Sequence, residues 1–188
     1  MKTSIPLIIN GKAVNALKTF DVFNPATGAP FASLAAGDPS HLDAAVAAAR
    51  AAFSSWSGTA DSGRQRLLHK MGDALQENMQ ELMELVTLET GKPLNGLNGV
   101  GAGMEVGGAI AWTRAAADLD LPIDLIQDND EARVEVHRKP LGVVGSITPW
   151  NWPLLIAIWH IIPARRSQHR DGNVQFRCWR SHGQTFRH

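Results

Sequence analysis

Apolar residues recur along this chain with three spacings, and each spacing predicts a kind of element. From Ser40 to Trp56, Leu42, Val46, Ala49, Phe53 and Trp56 return every three or four positions, which puts them on one face of a helix. Ser40 is placed to cap that helix, with Asp43 at the capping-box position. The same period continues through Leu68, Met71, Leu75, Leu82 and Val86, predicting one helix over Arg64–Glu89 that Gly91 and Pro93 stop.

Shorter patterns predict strands. Ile5–Ile9 is β-prone, and the Asn10-Gly11 pair that follows tolerates positive φ at both positions, the signal of a two-residue hairpin. "TFDVF" alternates around Phe20 and Val22, then breaks at "NPATG", where Pro25 restricts the backbone and Gly28 closes a turn. "ARVEVHRKP" alternates Val134 and Val136 with charges, as a strand with one wet face does. "LGVVGSI" is continuously apolar, the pattern of a parallel strand buried on both faces, and the run Leu154–Ile162 after it reads as a helix.

Between these lies "GLNGVGAGMEVGGAIAWTRAAADL". Its Gly99, Gly101 and Gly103 superficially suggest a dinucleotide loop, but no strand pattern precedes them and their spacing differs from that fingerprint. Small residues that let a helix pack closely are the expected reading.

The chemistry concentrates in "TPWNWP", between the buried strand and the helix. In open α/β sheets ligands bind beyond the carboxyl ends of the strands, where this turn falls. Pro149 and Pro153 lack backbone donors and restrict their preceding residues, so Trp150 and Asn151 have few conformations. A fixed Asn amide can donate to negative charge developing on a carbonyl oxygen, or it can simply cap the following helix. Both roles stay open for Asn151.

At this point a resemblance becomes specific. "KPLGVVGSITPWNWPLLIAIWHIIPA" resembles the segment of NAD(P)-dependent aldehyde dehydrogenases in which the first cofactor-domain strand leads into a Pro-Trp-Asn-Phe/Tyr-Pro-Leu turn. "INGK", "NPATG", "DAAVAAARAAFSSW" and "LETGKPL" resemble that family's N-terminal landmarks in the same order, so the likeness covers about residues 5–164. Trp152 stands in place of the usual Phe or Tyr, and His160 in place of a frequent Lys.

The resemblance implies an α/β fold: small antiparallel strands and helices leading into the first strand and helix of a Rossmann-like cofactor domain. Residues 1–139 would be an N-terminal helical region with oligomerisation-type strands, and 140–164 the start of the NAD(P)-binding domain. Asn151 would be the side-chain arm of the oxyanion hole, with Ile147, Thr148, Pro149 and Trp150 lining the cofactor cleft. The implied reaction oxidises a small aldehyde to a carboxylic acid with NAD or NADP, through a thiolate nucleophile and a glutamate-activated water, in a homo-oligomer.

Composition alters this picture at one place. The chain has 188 residues, 44% of them apolar, and 18 basic against 18 acidic residues; zero net charge argues against nucleic-acid or membrane-surface binding. Yet residues 1–164 hold 12 basic and 17 acidic residues, whereas 165–188 hold six Arg and only Asp171 as an acid. From Arg165 the family's continuation, with its cofactor-contacting lysine, does not follow, and neither the Glu base nor the nucleophilic Cys has a counterpart. Cys178, the single cysteine, sits in "FRCWRSHG", without the family's nucleophile context. One Cys allows no intrachain disulfide, and no run suits a signal peptide or the roughly 20 apolar residues of a membrane span, so a cytoplasmic setting is expected.

Codon arithmetic supplies a hypothesis for the tail. Regrouped from each second base, codons for Arg165 and Arg166 can read Ala-Ala, Ser167 can read Arg, and Gln168-His169-Arg170 can read Asn-Thr-Val. That resembles the family's continuation, Leu-Ala-Ala-Gly-Asn-Thr-Val-Val. Residues 165–188 are therefore expected to be a disordered out-of-frame peptide and the chain an inactive fragment. A gene lacking CGN-TCN-CAR-CAY at this point, in the frame required, excludes the hypothesis. The alternative is a non-catalytic binding module, in which the helices or the Arg-rich tail with Phe176 and Trp179 engage a partner.

Overall fold

A computed structural model of the chain describes residues 3–119, 122–136 and 142–166. Pro6 has no amide hydrogen and divides the N-terminal apolar run into β1 (Thr3–Ile5) and β2 (Leu7–Ile9). β2 pairs antiparallel with β3 (Lys12–Val14) across Asn10 and Gly11, whose φ values of 52° and 71° suit the hairpin turn expected there. β4 (Thr19–Phe23) and β5 (Pro30–Ala35) pair antiparallel, and β1 joins the other edge of β5 in parallel, so the small sheet is not purely antiparallel.

Helix α1 (Pro39–Ser57) starts earlier than the apolar period suggests. Asp38, not Ser40, is its N-cap: Oδ1 accepts from the Ser40 amide at 2.9 Å and the His41 amide at 3.1 Å. Pro39 occupies the first helical position, where a missing donor costs nothing because the amide would find no intrahelical partner.

The single helix expected over Arg64–Glu89 is two, α2 (Asp61–Glu77) and α3 (Met79–Thr90). They break at Asn78, whose side-chain amide donates to the Ala74 carbonyl at 2.8 Å. A short polar side chain competing for a helix carbonyl is a known cause of such a break. The glycine-rich stretch forms α4 (Ala102–Ala117), the small-residue helix anticipated, and the side chain of Leu155 lies 3.5 Å from where a Cβ on Gly108 would stand.

β6 (Asp124–Asp128) and β7 (Arg133–Val136) form an antiparallel hairpin. The expected strand at "LGVVGSI" is different: its described part, 142–147, joins no ladder among the described residues. A parallel strand exists only with a neighbour, and none of the described strands lies beside this one. The predicted helix after it is α5 (Pro153–Arg166), which includes Arg165 and Arg166. The remainder of the tail, Cys178 among it, and the boundary at 139/140 lie outside the described residues.

Helix α4 is the centre of the core and packs on α2, α3 and α5. Leu68, Ala109, Ala116, Ala117, Ile158 and Ile162 bury one contact surface; Val86, Ala102, Val106 and Ile110 bury another. Leu154 and Leu75 touch both, so the first turn of α5 is held against the same core as α3.

Candidate functional site

Lys92 follows directly from how α3 ends. Gly91 takes φ of 75°, a left-handed conformation that costs an L residue with a Cβ, and its amide donates to the Thr87 carbonyl at 2.9 Å. The chain then turns so that the carbonyls of Pro93 and Leu94 accept from the Ala102 and Gly103 amides, at 2.9 and 3.0 Å. These bonds satisfy the first donors of α4 and bring Lys92 beside its first turn. Gly101 permits the approach, since a Cβ there would lie 2.4 Å from the Pro93 oxygen.

Glu105 faces Lys92 from α4. It is the one acidic residue of a helix made mostly of small and apolar residues, and its side chain is 0% exposed. A carboxylate so buried needs partners, and it has three. Oε2 accepts from Lys92 Nζ, while Oε1 accepts from the backbone amides of Leu154 at 2.9 Å and Leu155 at 3.4 Å. Glu105 thus does for α5 what an N-cap side chain does, from another helix, with the positive end of the helix dipole adding to the attraction.

Lys92 completes the link to the turn. Its Nζ also donates to the Asn151 carbonyl and lies 4.3 Å from the centroid of the Trp152 ring, a cation–π contact.

The residues expected to act from this turn occupy one continuous stretch. Ile147 is 84% exposed, Trp150 and Asn151 are exposed with Pro149, and Thr148 is half-buried. The Asn151 carboxamide makes no hydrogen bond among the described residues. Of its two readings, the helix cap is the weaker, because Glu105 takes the amides a cap would serve. His160 is exposed on α5, and its Nδ1 lies 2.6 Å from the Ser146 hydroxyl, tying the helix to the incoming segment.

Lys92 and Glu105 were not among the residues singled out by sequence. Lys92 counted only as part of the landmark "LETGKPL", and Glu105 only as one letter in a glycine-rich run. A lone acid amid apolar helix positions was the available signal, because such a residue is almost never buried unpaired.

Comparison with known proteins identifies the family. A profile of the aldehyde dehydrogenase family matches residues 13–165. The chain is 39% identical over 171 residues to a phenylacetaldehyde dehydrogenase of Pseudomonas fluorescens, an alignment covering 84% of this chain and 33% of that protein. It is 34% identical over 167 residues to the NADP/NAD-dependent aldehyde dehydrogenase PuuC of Escherichia coli K12, covering 84% of this chain and 32% of the relative. An NAD+ complex of an aldehyde dehydrogenase from Bacillus cereus superposes with a TM-score of 0.81 at 32% identity, over 88% of this chain and 34% of that one. The chain belongs to the aldehyde dehydrogenase family and spans about one third of the length of these relatives.

Proposed function

We propose that this chain carries the Asn151 arm of an NAD(P)-dependent aldehyde dehydrogenase site, and that residues outside the matched segment must complete it. The observation that carries this is the position of Asn151: an exposed carboxamide in a turn between two prolines, with its backbone held by Lys92, within a family match that ends at residue 165. When a thiolate attacks the aldehyde, the carbonyl oxygen becomes an oxyanion, and the Asn151 side-chain amide is suited to donate to it. Residues 140–164 are on this reading the beginning of the cofactor domain. A cytoplasmic setting accords with it.

The residues near the turn fit a dinucleotide in part. Ile147 and Trp150 offer exposed apolar surface beside the Thr148 hydroxyl, which suits a flat ring with polar substituents. The N-terminus of α5 does not suit the pyrophosphate, because its Leu154 and Leu155 amides already serve the Glu105 carboxylate. The nicotinamide, when bound, supplies the hydride acceptor. The β6–β7 hairpin, with Leu125, Ile126, Val134 and Val136 exposed, is suited to assembly into homo-oligomers.

On this reading the 188-residue chain does not oxidise aldehydes alone, because an oxyanion donor without nucleophile or base retains little transition-state stabilisation. The test is to sequence the gene across codons 164–170, restore the frame proposed there, and assay aldehyde-dependent reduction of NAD+ and NADP+. Activity in the restored protein and none in the 188-residue chain is the expected result. Activity in the latter, or a gene with no aldehyde dehydrogenase remainder in any frame, overturns the proposal.

A further inference from the structure

We infer that Lys92 and Glu105 are positioning residues for Asn151, forming a two-part clamp in which Glu105 fixes the start of α5 and Lys92 fixes the turn before it. The assignment of a catalytic task to Asn151 rests on the function proposed above; the clamp itself rests on contacts.

The turn needs such a device. Asn151 and Trp152 precede the helix, and among the described residues the first intrahelical bond here is Ile156 to the Trp152 carbonyl, at 3.0 Å. The Asn151 carbonyl has no place in that ladder, and without an outside partner the carboxamide would swing with its backbone. Lys92 supplies the partner from the loop that follows α3, along with a contact to the Trp152 ring. Glu105 in turn fixes the lysine, because its carboxylate spans Nζ and the Leu154 and Leu155 amides. The ammonium is thereby held between the cap of α5 and the residue to be aimed. Glu105 lies on the central helix α4 and Lys92 directly follows α3, which packs on it, so the turn inherits the rigidity of the core instead of that of an exposed loop.

A buried ion pair broken from one side can unfold a protein, so the deciding variant neutralises both partners: Lys92→Met with Glu105→Gln. Gln keeps an oxygen for the Leu154 and Leu155 amides, whereas Met keeps the stem but not the donor. In the full 188-residue chain, backbone order parameters from nuclear spin relaxation should fall at Asn151 and Trp152 from about 0.85 to below about 0.6, with Leu154 and Leu155 unchanged. Lys92→Arg should restore the parent values at Asn151. Glu105→Ala should loosen Leu154 and Leu155 as well. Parent-like order at Asn151 in the double variant, or equal loss along the whole of α5, overturns the clamp.

A second arm separates this from the function. In the frame-restored protein, the double variant should lower kcat at least about tenfold with the aldehyde KM changed less than about twofold. If Asn151→Ala leaves kcat intact there, the catalytic reading of Asn151 fails, while the relaxation result still decides whether the clamp exists.

Discussion

The Leu154 amide donates to Glu105 Oε1 at 2.9 Å, so that a carboxylate 49 residues earlier in the chain caps helix α5. The other oxygen of that carboxylate pairs with Lys92, whose side chain is 20% exposed while that of Glu105 is 0% exposed. The asymmetry predicts unequal costs. Lys92→Met strands a fully buried charge on two amides, and breaking a buried pair in this way costs about 3–5 kcal/mol. Glu105→Gln leaves the ammonium partly in water and loses mainly charge-assisted bonding, about 1.5–3 kcal/mol. Urea denaturation of the two single variants should therefore rank Lys92→Met as the less stable, and the reverse order would contradict the geometry.

Local signals were legible where neighbours in sequence decide the outcome. The hairpin at Asn10-Gly11, the stop at Gly91 and the small-residue helix α4 each follow from backbone sterics or from periodicity within one element. The break at Asn78 was hidden because the apolar period runs through it unchanged while a side-chain bond to Ala74 ends the helix. Asp38 was hidden by a serine two positions later that also suits a cap, although Pro39 marked the true start. The turn carrying Asn151 was readable from its prolines and its resemblance, but its support was not. Lys92 and Glu105 lie 59 and 46 residues before Asn151, and no local pattern records a contact over that separation.

The core offers a test with an internal control. Leu68 is 1% exposed and packed among Ala109, Ala116, Ile158 and Ile162, whereas its neighbour Leu67 is 47% exposed. Leu68→Ala removes buried methyl groups and leaves a cavity between α2, α4 and α5, for an expected loss of about 2–5 kcal/mol. Leu67→Ala should change stability by less than about 0.5 kcal/mol, as surface substitutions usually do. Similar losses in both variants, measured by chemical denaturation, would mean that α2 does not present this face to α4.

Helix α1 should show a pH dependence traceable to one carboxylate. The Ser40 hydroxyl, then the His41 amide and ring, hold the Asp38 carboxyl well below its ordinary value of 3.8. A group whose folded value is depressed contributes stability that is fully present above the unfolded value and lost as pH falls towards the folded one. Asp38→Asn should therefore lower the thermal midpoint at neutral pH, and its difference from the parent should shrink as the pH falls below 3.8. A difference that stays constant from pH 7 to strongly acid conditions would assign the effect to geometry and not to charge.

Asn151 can be tested for stability and for catalysis separately, because the two roles make opposite demands. Were its side chain the cap of α5, Asn151→Ala would cost about 1 kcal/mol. With Glu105 accepting from the Leu154 and Leu155 amides, the substitution should instead leave the stability of the 188-residue chain within about 0.5 kcal/mol of the parent. In the frame-restored protein the same change should reduce kcat by about 10²–10³, the usual cost of removing one oxyanion donor. Asn151→Asp should be worse still, since it sets a carboxylate against the developing oxyanion. A variant that loses stability but keeps its rate would return Asn151 to the role of a cap and leave the oxyanion without its side-chain donor.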